Sequence, residues 1–350
     1  MSEPPVGSLT FPAALARLAA GTTLGPDEVR SAFASILAGG WTPVQVGAFA
    51  IALRIQGETA EMIVAAAQAL REAMTEIPHG LPKVIDTCGT GGDGSGTLNL
   101  STAAAVVVAA SGFSVAKHGN RSVSSQCGSA DVVEALGVRI DVPAARQAEI
   151  LRDVGIAFLF APAHHPALRH AAEARRELGV RTIFNALGPL VNPARATHQL
   201  VGVYDHRLRP IVARALGTLG VTRAWVVRSE DHLDEMSPAA PTHVSELLEG
   251  GEVRERIVAP EDFGIERVDL GAIAGADANA NAKSILWILE GRPHPARAAV
   301  VLNAAAALYV AGLDADPRAC ARKASEVLDQ GAALAMLEAW RAATKKHTAP

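Results

Sequence analysis

The chain has 350 residues, a formal net charge of -4, and 49% hydrophobic against 19% charged residues. Its length allows one large or two moderate domains, and its apolar content excludes global disorder. The negative net charge argues against non-specific binding to nucleic acid, although it is compatible with a locally basic pocket.

The cysteines and the hydropathy pattern indicate a compartment. The three cysteines, Cys88, Cys127 and Cys320, are odd in number and lack the spacing of a metal site, which fits a reducing environment. The chain opens with no secretory signal pattern and has no apolar run of about eighteen residues. We therefore expect a cytoplasmic protein without a membrane segment.

Residues 1–77 carry a helical pattern. Thr42 and Pro43 form a typical helix start, with the hydroxyl as the cap and proline in the first turn. Gly57 is placed to end that helix, and Thr59 to cap the next one. The pattern predicts a small N-terminal helical domain, to which helices near residues 165–190 can add. Its apolar surface suits either a dimer contact or packing within the domain.

From residue 78 to residue 345 the pattern is that of an α/β domain with a mostly parallel central sheet. Short β-rich segments alternate with helical ones, and near the end of the chain Ala299–Val310 is apolar enough to be a buried helix. The predicted strands are Val84–Asp86, Phe113–Ala116, Ala157–Phe160, Leu200–Tyr204 and Ala224–Val227.

A glycine-rich loop and a basic loop are the most informative features. Five glycines lie between residues 89 and 96, and a helical run opens at Ser101. Such a backbone lets a phosphate approach its N–H groups, and the positive helix N-terminus can face the same anion. The second loop, Lys117–Ser125, adds cations, an amide and hydroxyls. Together the loops predict a site for a sugar phosphate.

The glycine loop also matches the dinucleotide fingerprint G-x-G-x-x-G, which alone is a weak signal. That fingerprint requires an acidic residue roughly 20 positions later to hold a ribose hydroxyl. No Asp or Glu occurs between Asp93 and Asp131, and Lys117 stands in that region instead. The glycines are not followed by the Lys-Ser/Thr of a P-loop either. We therefore reject both nucleotide-binding interpretations.

A set of ordered motifs carries a resemblance over about residues 10–340. The motifs are D-T-C-G-T-G-G-D-G at 86–94, N-L-S-T at 99–102, K-H-G-N-R-S-V-S-S at 117–125, G-S-A-D at 128–131, F-A-P-A-H-H-P at 160–166, R-R-E-L-G-V-R-T at 175–182, N-A-L-G-P-L-V-N-P at 185–193 and L-D-E-M-S at 233–237. In this order they resemble the anthranilate phosphoribosyltransferases of tryptophan biosynthesis.

The resemblance implies a fold and a reaction. It implies a helical domain and an α/β domain like those of pyrimidine nucleoside phosphorylases, with the active site between them and homodimers formed through the helical domain. The implied reaction joins the amine of anthranilate to C1 of phosphoribosyl pyrophosphate (PRPP) and releases pyrophosphate. Magnesium is the implied cofactor, since it can stabilise the charge of the leaving group.

The resemblance also implies the site residues. Those expected to bind PRPP are Gly89, Gly92, Asp93, Thr97, Asn99, Leu100, Ser101, Thr102, Lys117, His118, Gly119, Asn120, Arg121, Ser122, Val123, Ser124, Ser125 and Ser129. Those expected to border anthranilate are Gly89, Asn120 and Arg175, with the Arg175 guanidinium on the carboxylate. No covalent catalyst is expected, and Lys117, His118 and Arg175 are expected to position the substrates.

Ser101, Asp234 and Glu235 are implied as metal ligands. Adjacent acids can both face a site only from a loop or a strand end, and the usual alternative is a solvated acidic turn. The family turn before the two acids contains glycine, whereas Arg228–Glu235 has none.

Two other functions are open to the sequence. A pyrimidine nucleoside phosphorylase would share the fold, but the segments at Arg175 and at 185–193 favour anthranilate. A non-catalytic relative that binds nucleic acid should lack the glycine loop and carry basic surface, and this chain has neither property. Cys88 is expected to have a packing role, because the reaction needs no covalent intermediate. His164 and His165 lack a clear ligand spacing and are expected at a helix start or in packing.

Overall fold

The computed structural model describes residues 9–122 and 126–345. The helices are α1 (Phe11–Ala19), α2 (Pro26–Leu37), α3 (Pro43–Gln56), α4 (Ala60–Glu72), α5 (Leu100–Ala110), α6 (Ser129–Ala135), α7 (Ala144–Asp153), α8 (Ala161–His164), α9 (Arg169–Leu178), α10 (Ile183–Leu187), α11 (Leu208–Thr218), α12 (Ala278–Leu289), α13 (Arg297–Val310), α14 (Pro317–Asp329) and α15 (Ala332–Lys345). The strands are β1 (Ile85–Gly89), β2 (Val115–Gly119), β3 (Ile156–Phe160), β4 (His198–Gly202), β5 (Arg223–Ser229), β6 (Thr242–Leu247) and β7 (Val253–Val258).

Helices α3 and α4 begin and end where the capping residues predict. The Thr42 hydroxyl accepts a hydrogen bond from the Gln45 N–H, and the Gln45 side chain accepts one from the Thr42 N–H. This reciprocal capping box satisfies two N–H groups that the first turn leaves unpaired. Gly57 ends α3 at a φ of 93°, and the Thr59 hydroxyl caps α4 by accepting from Met62 N–H.

The N-terminal helices share one hydrophobic core with two helices from the middle of the chain. Phe33 and Phe49 are completely buried in this core, and α9 and α10 contribute Ala174 and Phe184 to it. The rings of Phe33 and Phe184 lie 5.2 Å apart. Val212 of α11 and Val226 of β5 belong to the same core, so it also joins these helices to the sheet. The predicted boundary between residues 77 and 78 and the addition of helices near 165–190 to the helical domain stay predictions.

The central sheet has seven strands in the order β3-β2-β1-β4-β5-β6-β7. The first five of these in the order pair in parallel, which confirms the predicted α/β architecture. The strands β6 and β7 add an antiparallel edge that the sequence analysis did not predict. The reason lies in the composition of β7, where Arg254, Glu255 and Arg256 conceal the apolar pattern of a strand.

The strand order places a crevice beside β1. From β1 the chain runs outwards through β2 and β3, and it then returns to add β4 on the other side of β1. At such a switch point the connections on the two sides diverge, so the carboxyl ends of the strands border an open crevice where α/β proteins bind ligands. The glycine-rich loop follows β1 directly at this crevice.

A second hydrophobic core covers one face of the sheet. Helix α5 is buried along nearly its whole length, and α13 packs against it as the buried helix that the sequence predicts at Ala299–Val310. The fully buried Val106 and Leu302 belong to this core. Within the described residues, no helix has the length and apolar character needed to cross a membrane.

Candidate active site

The glycine loop has a backbone that requires glycine. Gly91, Gly92, Gly94 and Gly96 have φ values of 64°, 77°, 78° and 62°. Residues other than glycine rarely adopt this left-handed backbone conformation. The far end of the loop is tied down by the Gly275 N–H, which donates to the Gly96 carbonyl at 2.8 Å. The loop between β1 and α5 is therefore a shaped backbone surface.

The acid-bearing loop after β5 lies directly against the glycine loop. Asp234 Oδ2 accepts from the Gly91 N–H at 3.0 Å, and Asp93 Oδ2 accepts from the Asp234 N–H at 3.3 Å. A Cβ atom at Gly89 would lie 2.8 Å from Asp234 Oδ2, and one at Gly202 would lie 1.5 Å from the Asp234 carbonyl oxygen. The two glycines thus make the space in which Asp234 sits.

The acid-bearing loop keeps a left-handed turn although it has no glycine. His232 adopts a φ of 72°, one of two positive values among the non-glycine residues described. Asp231 closes the loop, because it accepts hydrogen bonds from the hydroxyls of Ser229 and Ser237. The Ser229 hydroxyl also accepts from the Leu233 N–H at 2.8 Å. The acid pair therefore projects from a loop, as its orientation requires.

Glu235, Ser101 and Lys117 meet at the N-terminus of α5. Glu235 Oε1 accepts from the Ser101 N–H at 3.1 Å, while its Oε2 is buried and has no hydrogen-bond partner within the described residues. Lys117 Nζ donates to the Thr87 carbonyl at 2.5 Å and to the Ser101 hydroxyl at 3.2 Å. These contacts bring residues from β1, β2, α5 and the acid-bearing loop to one place.

The pKa values of the ionisable groups at this place are strongly shifted. Burial, reinforced by the neighbouring Asp234, raises the pKa of Glu235 well above its ordinary value. Burial and then the charge of Asp93 raise the pKa of Asp234. Burial lowers the pKa of Lys117, while Asp86 opposes that effect. A site that crowds the half-buried carboxylates of Asp93, Asp234 and Glu235 beside Lys117 is suited to receive a cation.

The basic loop after β2 continues the site. The Asn120 N–H donates to the Ser129 hydroxyl at 3.2 Å, and the Ser122 N–H donates to Asp131 Oδ2 at 3.2 Å. Arg121 forms ion pairs with Asp131 at 2.9 Å and Glu134 at 2.6 Å. The Arg121 side chain is thus held by two carboxylates. The predicted site residues Val123, Ser124 and Ser125 lie outside the described residues.

The remaining PRPP candidates line the start of α5. Asn99 Nδ2 donates to the Cys127 carbonyl at 3.3 Å, which joins the helix start to the segment before α6. Leu100 and Thr102 are buried, and the Thr102 hydroxyl is without a partner among the residues described. Thr97 pairs with Ala274 in an isolated bridge. A small set of side chains thereby fixes the end of the glycine loop.

Arg175 lies on α9, whereas His118 lies on β2. Arg175 is partly buried, with its guanidinium carbon 5.8 Å from the centroid of the Phe184 ring. His118 Nδ1 lies 3.1 Å from the Gly188 carbonyl oxygen, and its ring centroid is 5.1 Å from that of His165. Burial holds the pKa of His118 well below its ordinary value, so the ring is neutral at pH 7.

Two buried polar residues that the sequence analysis did not single out support the basic loop. Asp86 is fully buried and accepts from the His118 N–H at 3.1 Å and from Asn192 Nδ2 at 2.8 Å. Asn192 Nδ2 also donates to the Ala116 carbonyl. The sequence did carry a signal for these two residues, since each is a polar residue within an otherwise apolar strand or turn motif. Buried polar groups need hydrogen-bond partners, so such a residue is a candidate for holding its neighbours in place.

Comparison with known proteins agrees with this geometry. The sequence model for "Glycosyl transferase family, a/b domain" matches residues 81–334, and that for "Glycosyl transferase family, helical bundle domain" matches residues 12–74. The anthranilate phosphoribosyltransferase of Myxococcus xanthus is 49% identical over 95% of this chain and 98% of its own. The chain belongs to the anthranilate phosphoribosyltransferase family.

Solved structures of the anthranilate phosphoribosyltransferase family have the same fold. The enzyme of Thermus thermophilus is 39% identical and superposes with a TM-score of 0.90, over 95% of this chain and 99% of its own. The Saccharomyces cerevisiae enzyme, solved in complex with PRPP and Mg, is 27% identical with a TM-score of 0.89, over 96% and 98%. The helical domain and the α/β domain are therefore both family features.

Proposed function

We propose that this chain transfers the phosphoribosyl group of PRPP to the amine of anthranilate. The products are N-(5-phosphoribosyl)anthranilate and pyrophosphate, and the step belongs to tryptophan biosynthesis. The observation that carries the proposal is the meeting of Gly91, Ser101, Lys117, Asp234 and Glu235 at one edge of the sheet, in a member of this family. The chain is accordingly a pentosyltransferase.

PRPP would bind in the crevice beside β1. The left-handed glycines leave the loop free of side-chain bulk, and the N-terminus of α5 adds its positive end. Lys117 supplies a fixed cation whose Nζ is held at the Thr87 carbonyl and the Ser101 hydroxyl. Asn120, Gly119 and Ser129 extend this surface after β2. Such a surface binds a diphosphate and a ribose phosphate through backbone and side-chain donors.

Anthranilate would lie between this surface and α9. Arg175 is the candidate for its carboxylate, since a guanidinium binds a carboxylate through two parallel hydrogen bonds. Burial lowers the pKa of Arg175, and removal of water strengthens such an ion pair. Gly89 and Asn120 are the candidate neighbours of the aromatic ring, because both lie where β1 and β2 end.

The residues present fit magnesium. No group of three or more His, Cys, Asp and Glu side chains converges within the described part of the chain. Magnesium does not need such a cage, because it binds through one or two carboxylates, waters and substrate phosphates. Glu235 Oε2 is a buried oxygen without a partner among the residues that the structure describes, and Asp234 and the Ser101 hydroxyl lie in the same hydrogen-bonded cluster. The ion, when bound, would supply positive charge to the leaving pyrophosphate.

The chain's own residues would do the rest by orientation and charge. The bond from C1 to the pyrophosphate oxygen breaks, the bond from the amine nitrogen to C1 forms, and the nitrogen then loses one proton to water. The pyrophosphate keeps the electron pair of the broken bond, so charge at Lys117 and the α5 N-terminus stabilises it. The amine is neutral at pH 7 and needs no base before it attacks. Neutral His118 positions the substrate rather than carrying charge.

The helical domain offers a surface for a second copy of this chain. Val44 and Ile55 of α3 are 81% and 80% exposed. They lie eleven positions apart in the chain, which is close to three helical turns and puts them on one side of the helix. Exposed apolar side chains on one helix face are typical of interfaces. We infer that the chain forms a homodimer through α3.

We also infer a cytoplasmic location, which the odd cysteine count supports.

The direct test follows the fluorescence of anthranilate over time with PRPP and magnesium. Fluorescence should fall only when both substrates are present, and EDTA should stop the reaction. The matched control is the double variant Asp234→Asn with Glu235→Gln, which should retain the fold and need more magnesium. A folded chain that consumes no anthranilate would contradict the proposal, and a phosphate-plus-pyrimidine-nucleoside assay would then test the related activity.

A further inference from the structure

Arg181 connects the segment between α9 and α10 to the glycine loop. Both helices pack into the core that they share with the N-terminal helices. The Arg181 Nη2 donates to the Gly92 carbonyl oxygen, and no other donor in residues 9–122 and 126–345 reaches that oxygen. The position of this carbonyl therefore depends on a side chain from the segment between α9 and α10.

Fixing this carbonyl fixes one N–H of the loop. A peptide unit is planar and trans, so the carbonyl of Gly92 and the N–H of Asp93 point in opposite directions. Gly92 has a φ of 77°, and its neighbour Gly91 is also left-handed. Glycines have many accessible conformations, so this stretch needs outside contacts to hold one of them. The contact from Arg181 selects the direction of the Asp93 N–H.

A second contact anchors Arg181 to the same loop. Its guanidinium carbon lies 4.5 Å from the centroid of the buried Tyr204 ring, which is within the range of a cation–π interaction. The Tyr204 N–H donates to the Thr90 hydroxyl at 3.1 Å, and the Thr90 N–H donates to the Gly202 carbonyl at 2.9 Å. The aromatic ring under Arg181 is thus tied to the start of the glycine loop.

Arg175 and Arg181 belong to one continuous segment. Arg175 lies in the last turn of α9, and the chain passes from there through Gly179 to Arg181. Helix α9 packs against α2 and α3. A movement of α9 relative to the sheet therefore changes the contact between Arg181 and Gly92. Arg175, the candidate residue for binding anthranilate, and Arg181, which contacts the glycine loop, therefore move together with α9.

We propose that Arg181 is a positioning residue that couples the two substrate sites, an inference that rests on the proposed function. Occupation of the Arg175 site holds α9, and α9 then holds Arg181 on the Gly92 carbonyl. The glycine loop is thereby kept in the conformation that binds PRPP. Because such coupling is reciprocal, PRPP strengthens binding at the Arg175 site by the same factor.

Calorimetry tests the coupling directly. Benzoate serves as the probe for the Arg175 site, because it carries the carboxylate but no amine and cannot react. PRPP with magnesium is titrated into the wild type, Arg181→Ala and Arg181→Gln, with and without benzoate. Removing a charged hydrogen bond predicts a Kd for PRPP about tenfold higher in Arg181→Ala. Benzoate should lower that Kd in the wild type and leave it unchanged in both variants.

The matched control is Arg176→Ala, which removes an exposed guanidinium from the same helix. It should bind PRPP like the wild type and keep the benzoate effect. In steady-state kinetics, Arg181→Ala should raise the KM for PRPP and change kcat little, a split that general loss of structure does not produce. An unchanged Kd for PRPP in both Arg181 variants would overturn the proposal, as would an intact benzoate effect.

A measurement on the wild type covers the case in which the variants fail to fold. Hydrogen exchange of peptides over residues 89–97 should slow when benzoate is added, and unaltered exchange would also overturn the coupling. A failure of the proposed function would be seen in a different experiment. A wild type that consumes no anthranilate contradicts that function, while the PRPP titrations still decide whether Arg181 holds the loop.

Discussion

His232 is a single residue whose backbone is at odds with its type. It adopts a φ of 72° in the loop before the acid pair. In this left-handed conformation the Cβ atom crowds the backbone, which destabilises the folded state by on the order of 1 kcal/mol relative to glycine. The hydrogen bonds that Asp231 accepts from Ser229 and Ser237 offset this cost by closing the loop on both sides. The turn is therefore retained without glycine, at the expense of local strain.

Replacing His232 by glycine should relieve that strain. We expect His232→Gly to raise the free energy of unfolding by about 0.5–1 kcal/mol, less than the full strain because glycine gains freedom in the unfolded chain. Urea unfolding measures the change. His232→Ala is the control, since it removes the imidazole and keeps the strain. Equal stability of the two variants would show that the backbone conformation is not the cause.

Arg175 gives a prediction about substrate recognition. Arg175→Ala should raise the KM for anthranilate about tenfold to a hundredfold and leave the KM for PRPP near its wild-type value, because one charge-assisted pair is lost. Steady-state kinetics with each substrate varied in turn measures this. Arg176→Ala should change neither constant. If Arg175→Ala altered both constants equally, the guanidinium would not be specific to anthranilate.

At the scale of elements, α3 shows how closely local chemistry predicts structure. Thr42, Gly57 and Thr59 placed the ends of α3 and the start of α4 correctly, because capping depends on residues within one turn. The hairpin of β6 and β7 was missed, since its edge strand carries Arg254, Glu255 and Arg256. Pairing with β5 stabilises that edge, and such long-range pairing leaves little local signal.

The exposed face of α3 gives the prediction about assembly. Ile55→Glu should convert the proposed dimer to a monomer, because it buries a charge in an apolar contact. Light scattering coupled to size-exclusion chromatography measures the mass. Ile257→Glu is the control, as Ile257 is 61% exposed on the edge strand β7 and does not belong to α3. A wild type that elutes as a monomer, or a dimer unaffected by Ile55→Glu, would refute the assignment of this surface.

At the scale of the whole molecule, the sequence predicted the two-domain α/β architecture and the loops that border the crevice. Glycine content and charge identify Gly89–Gly96 and Lys117 from the chain alone. The contact of Arg181 with Gly92 joins positions 89 residues apart, so no local pattern reveals it. The roles of individual site residues stay predictions, because a role depends on where a ligand sits as well as on the residue type.

Buried histidines make the stability of the whole chain depend on pH. Burial lowers the pKa of His165 to about 4, whereas an unfolded chain protonates histidine near 6.5. Between these values the unfolded state binds more protons, so stability falls as the pH drops from about 6.5 to about 4. The loss attributable to His165 is about 2–3 kcal/mol.

Urea unfolding at about pH 7 and about pH 4.5 measures this loss. His165→Gln should lose less stability over the same interval, since glutamine does not titrate. His118 and His198 contribute losses of the same sign, so the wild type minus the variant isolates the share of His165. An identical pH dependence in the two proteins would exclude His165 as a source.

The contact between Gly202 and Asp234 has a consequence for redesign of this enzyme. A Cβ atom at Gly202 would lie 1.5 Å from the Asp234 carbonyl oxygen, so every other amino acid there must displace the loop that carries the acid pair. Saturation mutagenesis at Gly202 should therefore return glycine alone among active clones. Libraries aimed at new metals or acceptor amines can instead vary His232, which is exposed, and Arg175. At both positions a new side chain would take the place of an existing one and would not have to displace the backbone.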